Sequence, residues 1–134
     1  MELQVGVKVL LKNPEGKYLL IRRAPEEKNG PGKWDIPGGR MIAGTTMGEN
    51  LAREVMEETG LTMTSEPILL GIQDMLLTDR HVGRITHTGT IEGTPTLSEE
   101  HSEFKWASLE EILALSDAEF DTYLRTLIQG GVRS

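Results

Sequence analysis

Arg53, Glu54, Glu57 and Glu58 form the densest concentration of chemistry in the sequence. On an α-helix, offsets of three and four share a face, so Glu54 neighbours both Glu57 and Glu58, and Arg53 can pair with Glu57. Like charges at that spacing cost roughly a few tenths of a kcal/mol per pair on an exposed helix. A hard divalent cation, Mg²⁺ or Mn²⁺, offsets the repulsion because it prefers oxygen ligands. Just upstream, Gly38, Gly39 and Gly44 leave backbone uncovered. An ion or a phosphate can approach such backbone closely.

The elements that must position these groups have local signals. Thr46 and Glu49 form a Thr-x-x-Glu capping box, which predicts a helix starting at Met47. Gly60 suits the C′ position that stops it. The carboxylates then lie in the last two turns, where negative charge opposes the helix dipole. A broken local rule of this kind marks a candidate functional site.

Gly39, then Arg53-Glu54-Val55-x-Glu57-Glu58-x-Gly60-Leu61, resembles the signature box of the Nudix hydrolases, and Trp34-x-x-Pro37-Gly38-Gly39 is similar to the family's lead-in. The one departure within the box is Thr45, where the family pattern has Glu. The resemblance implies an α+β fold, an α/β/α sandwich around a mixed β-sheet, in a single domain over residues 1–134. It implies metal-dependent hydrolysis of a nucleoside diphosphate linked to another group, with Mg²⁺ or Mn²⁺ on Glu54, Glu57, Glu58 and the Gly38 carbonyl. Arg53 would hold Glu57 in place. Glu100, or one of the box glutamates Glu57 and Glu58, would take a proton from water, with Glu103 the second choice in that loop. Arg22, Arg23 and Gly39 would face the substrate, and a homodimer is an option.

Thr45 cannot bind a metal as an anion, and Ile42 stands where many members carry a further acid. Fewer or weaker metals, a changed substrate or a non-catalytic nucleotide sensor on the same fold follow as alternatives. Isoprenoid diphosphate isomerase chemistry is disfavoured because the chain lacks cysteine. Leu76 and Leu77 stand where ADP-ribose hydrolases carry a proline, and other subfamily motifs are missing too. This tilts the expectation toward nucleoside triphosphates.

Composition sets bounds on partners. The 134 residues suit one core, and a net charge of −7 argues against a polymeric nucleic acid. No apolar run approaches the ~20 residues of a membrane span. The acidic, strand-like start does not read as a signal peptide, and the absence of cysteine excludes disulfides and zinc-thiolate sites. The cytoplasm is the expected compartment.

Along the chain, Gln4 to Leu11 alternates as a strand and Asn13-Pro14-Glu15-Gly16 suits a type I turn into a second strand ending at Arg22-Arg23. Ala24 to Gly32 reads as a lip over the site, and Trp34 as a packing residue. Ile68-Leu69-Leu70-Gly71-Ile72 predicts a buried strand, and Arg84 to Glu92 and Phe104 to Trp106 predict two more. Ser108-x-x-Glu111 and Ser116-x-x-Glu119 predict two capped helices, the second closing at Gly130 with Phe120, Tyr123, Leu124, Leu127 and Ile128 on a core face. The histidines lack metal-ligand spacing.

Overall fold

A computed structural model describes residues 1–131. Seven strands form one sheet: β1 (Glu2–Lys12), β2 (Tyr18–Arg23), β3 (Trp34–Asp35), β4 (Gly38–Arg40), β5 (Ile68–Leu76), β6 (Arg80–Thr90) and β7 (His101–Ala107). The order is β3-β2-β1-β6-β5, with β4 also on β1 and β7 also on β2. β1 and β6 run parallel, from Glu2 opposite Arg80 to Lys12 opposite Thr90, and the other pairs are antiparallel. The helices are α1 (Met47–Thr59), α2 (Leu109–Leu113) and α3 (Thr122–Gly131). This is the expected α+β class with a mixed sheet.

Strand alternation divides the core into two layers. Val7, Val9, Leu11, Leu19 and Ile21 face Leu51 and Val55 of α1. Leu10, Tyr18, Leu20 and Ile36 face Ile112 of α2, Phe120, and Leu124 and Ile128 of α3. The β1–β2 turn forms as expected, with the Gly16 amide donating to the Asn13 carbonyl at 3.0 Å. The bounds of α1 also match, although only half of the capping box forms, Glu49 Oε1 accepting from the Thr46 hydroxyl at 3.1 Å rather than from the Thr46 amide. Thr46 Oγ1 accepts from the Glu49 amide, and Gly60 closes the helix in the left-handed region at φ 72°.

Two expectations change. β5 is not buried: Ile68, Leu69, Ile72 and Leu76 are all more than half exposed. β5 is the last strand of its side of the sheet, beyond the cover that α1 gives β1 and β2. Its other face meets α3, where Gly71 makes room for Leu127 and Gln73 donates to the Tyr123 carbonyl at 2.8 Å. The last helix starts later than Ser116. Ser116 and Glu119 make a turn, and Asp121 caps α3, its Oδ1 accepting from the amides of Tyr123 at 2.7 Å and Leu124 at 3.1 Å. The helix runs through Gly130 to Gly131. Among the described residues no helix is long and apolar enough to cross a membrane.

Candidate active site

The glycine turn and α1 meet because their surfaces leave no space for side chains. A Cβ on Gly38, at φ 149°, would sit 2.1 Å from the Val7 carbonyl oxygen of β1. A Cβ on Gly39 would sit 2.8 Å from the Glu54 carboxyl. The Gly38 amide donates to Glu58 Oε1 at 2.9 Å. Thus β1, β4 and the last turns of α1 are locked around two glycines.

Glu54, Glu57, Glu58, Gly38, Gly39 and Glu100 line one cavity of about 1020 Å³, with Lys8, Arg23, Trp34 and Asp35. The sequence-expected acids therefore come together, including Glu100 from the turn before β7. Arg53 stands behind them. Its Nη1 reaches Glu54 Oε1 at 2.8 Å and Glu57 Oε2 at 3.4 Å. Arg23 borders the cavity, as expected, but Arg22 and Glu103 are not among its lining residues. They pair with each other at 2.6 Å, cross-strand on β2 and β7. Arg22 is held away from the cavity by Glu103 and by the Gly32 carbonyl, which accepts from its Nε at 2.9 Å, whereas Arg23 lies beside Asp35 on the cavity wall. Trp34 packs partly on the α2/α3 core, as expected, and also borders the cavity. The rim carries Lys28, Asn29 and Gly30 of the 24–32 loop.

The electrostatics follow from burial. Glu58 is 6% exposed, and desolvation raises its pKa to about 8, helped by the charges of Glu54 and Asp35 and opposed by Lys8 and the Gly38 amide. Desolvation also raises Glu54, against the charge of Arg53. His101 is buried, with Nε2 3.9 Å from Glu58 Oε2. Desolvation lowers its pKa to about 4, so it faces Glu58 as a neutral imidazole rather than as an ion-pair partner.

The donor set is all oxygen and suits a hard divalent ion. Among the described residues no three acidic or histidine side chains already converge as ligands. Arg53 draws Glu54 and Glu57 to itself. A divalent ion beside Glu54 and Glu58 would favour their ionised forms. In donor chemistry and placement the residues fit such an ion.

A model of the NUDIX domain matches residues 2–127. The chain belongs to the Nudix hydrolase family. The crystal structure of a MutT protein from Methanosarcina mazei Go1 is 35% identical with a TM-score of 0.87, over 96% of this chain and 92% of that one. A MutT NUDIX hydrolase from Burkholderia pseudomallei has the same fold at 22% identity and TM-score 0.81, over 96% and 98% of the two chains. Among curated proteins, the m7GpppN-mRNA hydrolase NUDT17 of Danio rerio is 39% identical over 71 residues, 51% of this chain and 24% of that protein. The nucleoside triphosphatase NudI of an Enterobacter species is 47% identical over 45 residues, 34% and 32% of the two. The matched stretches thus span about a quarter to a third of these two curated relatives.

Sequence reasoning missed four side chains in and around this cavity. Lys8 donates to Asp35 Oδ2 at 2.8 Å and to the Ile36 carbonyl at 3.2 Å, a half-buried pair on the cavity wall. His101 lies under Glu58. Asn50 of α1 connects the glycine turn to Arg53. Lys8, Asp35 and His101 come from three different strands, and nothing local in the sequence links them. Asn50 had a signal, since offsets of three and four put it on the same helix face as Arg53 and Glu54.

Proposed function

We propose that this chain hydrolyses the pyrophosphate linkage of a nucleoside diphosphate linked to another group, with a nucleoside triphosphate or related nucleotide as substrate and Mg²⁺ or Mn²⁺ as cofactor. One observation carries the reading. Three carboxylates of α1 and Glu100 from a separate turn line the same cavity beside bare glycine backbone and the cationic side chains of Lys8 and Arg23. Glu54, Glu57, Glu58 and the Gly38 carbonyl would hold the ion. When bound, it would neutralise pyrophosphate oxygens and lower the pKa of a water.

The chain's own groups divide the remaining work. Arg23, Lys8 and the Gly39 backbone bind phosphate oxygens. Glu100, which is not drawn into a pair with Arg53, takes the proton of the attacking water. Arg53 keeps Glu54 and Glu57 aimed from behind. The whole chain acts as one domain, in the cytoplasm, on a small phosphorylated substrate rather than on nucleic acid or a membrane.

A homodimer belongs to the same reading. The uncovered sheet face with Leu3, Ile72 and Leu76 carries a His81–Asp74 hydrogen bond at 2.7 Å and can match itself across a two-fold axis. Sedimentation of wild type and Ile72→Glu tests it, with a dimer expected to become a monomer.

Thr45 favours a second reading, a sensor that binds nucleotide without turning it over. Phosphate and pyrophosphate release from a nucleotide panel, with Mg²⁺ and with chelator, separates the two.

A further inference from the structure

We propose that Asn50 and Thr45 are a positioning pair, in which the Asn50 amide, oriented by the Thr45 hydroxyl, holds the Arg53 guanidinium that fixes Glu54 and Glu57. This rests on the hydrolase reading and deepens it at the box position where the chain departs from the family pattern.

Asn50 is 1% exposed, and every hydrogen-bonding position of its side chain is used. Nδ2 donates to Thr45 Oγ1 at 2.6 Å and to the Thr46 carbonyl at 2.7 Å. Oδ1 accepts from the Ile42 amide at 3.1 Å and from Arg53 Nη2 at 3.1 Å. Flipping this amide would set donors against donors and acceptors against acceptors, so its orientation is fixed. The Thr45 hydroxyl accepts from Asn50 and donates to the Ile42 carbonyl at 2.6 Å, so its proton is fixed as well. The turn after Gly39 and the first turns of α1 close into one ring of hydrogen bonds.

The consequence lies at Arg53. One nitrogen of its planar fork is anchored by a neutral acceptor, and the other faces Glu54 at 2.8 Å and Glu57 at 3.4 Å. A neutral anchor leaves the guanidinium charge to the two carboxylates of the cavity. A glutamate at position 45 could accept from Asn50 but could not donate to the Ile42 carbonyl. With Asn50 present the threonine is the better partner. The missing acid of the box is therefore no gap in the support of Arg53, because Asn50 supplies the acceptor.

The test is Mn²⁺ affinity, read by electron paramagnetic resonance without nucleotide, together with melting temperature, kcat and KM. Asn50→Ala is expected to bind Mn²⁺ about tenfold more weakly and to lose kcat more than KM, the scale of losing an outer-shell support. Thr45→Glu alone is expected to bind Mn²⁺ more weakly too. The double variant Thr45→Glu/Asn50→Ala returns an acceptor for Arg53 and is expected to recover most of the affinity, which a merely structural role would not do. Wild-type Mn²⁺ affinity in folded Asn50→Ala, or a double variant no better than the singles, would overturn the pair. Should Asn50→Ala not fold, Thr45→Val keeps the shape and removes the hydroxyl. Unchanged Mn²⁺ affinity there overturns the pair, and a several-fold loss supports it. Wild type that turns over nucleotide while these variants keep its Mn²⁺ affinity sinks only the pair. Wild type that binds Mn²⁺, with the expected losses in the variants, but hydrolyses no nucleotide sinks only the hydrolase reading. Wild type that binds no Mn²⁺ sinks both.

Discussion

The Gly38 amide donates to Glu58 Oε1 at 2.9 Å and fastens a buried carboxyl of α1 to the glycine turn of β4. The other Glu58 oxygen lies 3.9 Å from Nε2 of neutral His101, too far for a hydrogen bond, and the carboxyl borders the cavity. It is both a support of the fold and the candidate ligand with the least freedom to move.

That position makes the metal-free protein sensitive to alkali. The folded-state pKa of Glu58, about 8, lies above the ordinary carboxyl value of 4.5. A raised carboxyl binds its proton more tightly when folded, so its contribution to stability is present below the unfolded pKa and is lost as pH rises through the folded one. His101 works in the opposite sense: in the unfolded chain it still sheds protons up to about pH 7.5 while in the fold it is already neutral, which gives a smaller opposing slope. Between about pH 6.5 and 8.5 the melting temperature of chelated wild type should fall by several degrees, as roughly 4 °C accompanies each kcal/mol in a chain of this size. Glu58→Gln should flatten that slope. A Glu58→Gln variant that follows wild type across the range would contradict the assignment.

The two glycines of the turn should fail differently. Gly38→Ala drives a Cβ into the Val7 backbone at a positive φ and should destabilise by about 3 kcal/mol or more. Gly39→Ala meets only the end of the Glu54 side chain, which can swing away. It should keep a near-wild-type melting temperature and lose Mn²⁺ affinity. Equal melting temperatures for the two variants would show that the approach of β4 to β1 is looser than described.

Asp121→Ala should be costly although it lies far from the α1 carboxylates in sequence. Burial pushes the Asp121 carboxyl up, but the Arg84 hydrogen bond and charge and the amides of Leu124 and Tyr123 outweigh it and hold its pKa below the usual value. Arg84 is buried and takes both Asp121 oxygens, at 2.8 and 3.3 Å. Removing the acid strands a buried guanidinium and uncaps α3, a loss of about 3 kcal/mol. Urea unfolding reads it, and a change under about 1 kcal/mol would contradict the burial of the pair.

Much of the site was legible because its signals are local. The Thr46 cap, the Gly60 stop and the acid spacing lie within one helix, so their geometry follows from helical period alone. What the sheet assembles was not legible. Lys8, Asp35 and His101 meet only through strand register, and Arg22 is drawn off by Glu103, its cross-strand partner on β7. The exposure of β5 was missed because an apolar run reports hydrophobicity, not whether another element covers it. The start of α3 was missed because Ser116 and Asp121 both offer caps, and the sequence does not say that Phe120 must first pair with Trp34.

Arg53→Lys should be no conservative change. A single ammonium cannot span Asn50 Oδ1 and both carboxylates as the guanidinium fork does. We expect kcat to fall at least tenfold with a smaller change in KM. A variant with wild-type kcat would remove Arg53 from the support of the site.

The most direct measurement is phosphate and pyrophosphate release from a panel of nucleotides, with Mg²⁺ and with chelator, for wild type and Glu58→Gln. The hydrolase reading predicts release that needs the metal and drops by orders of magnitude in Glu58→Gln while that variant stays folded. Nucleotide binding without release from any compound, or release indifferent to chelator and to Glu58, would contradict it.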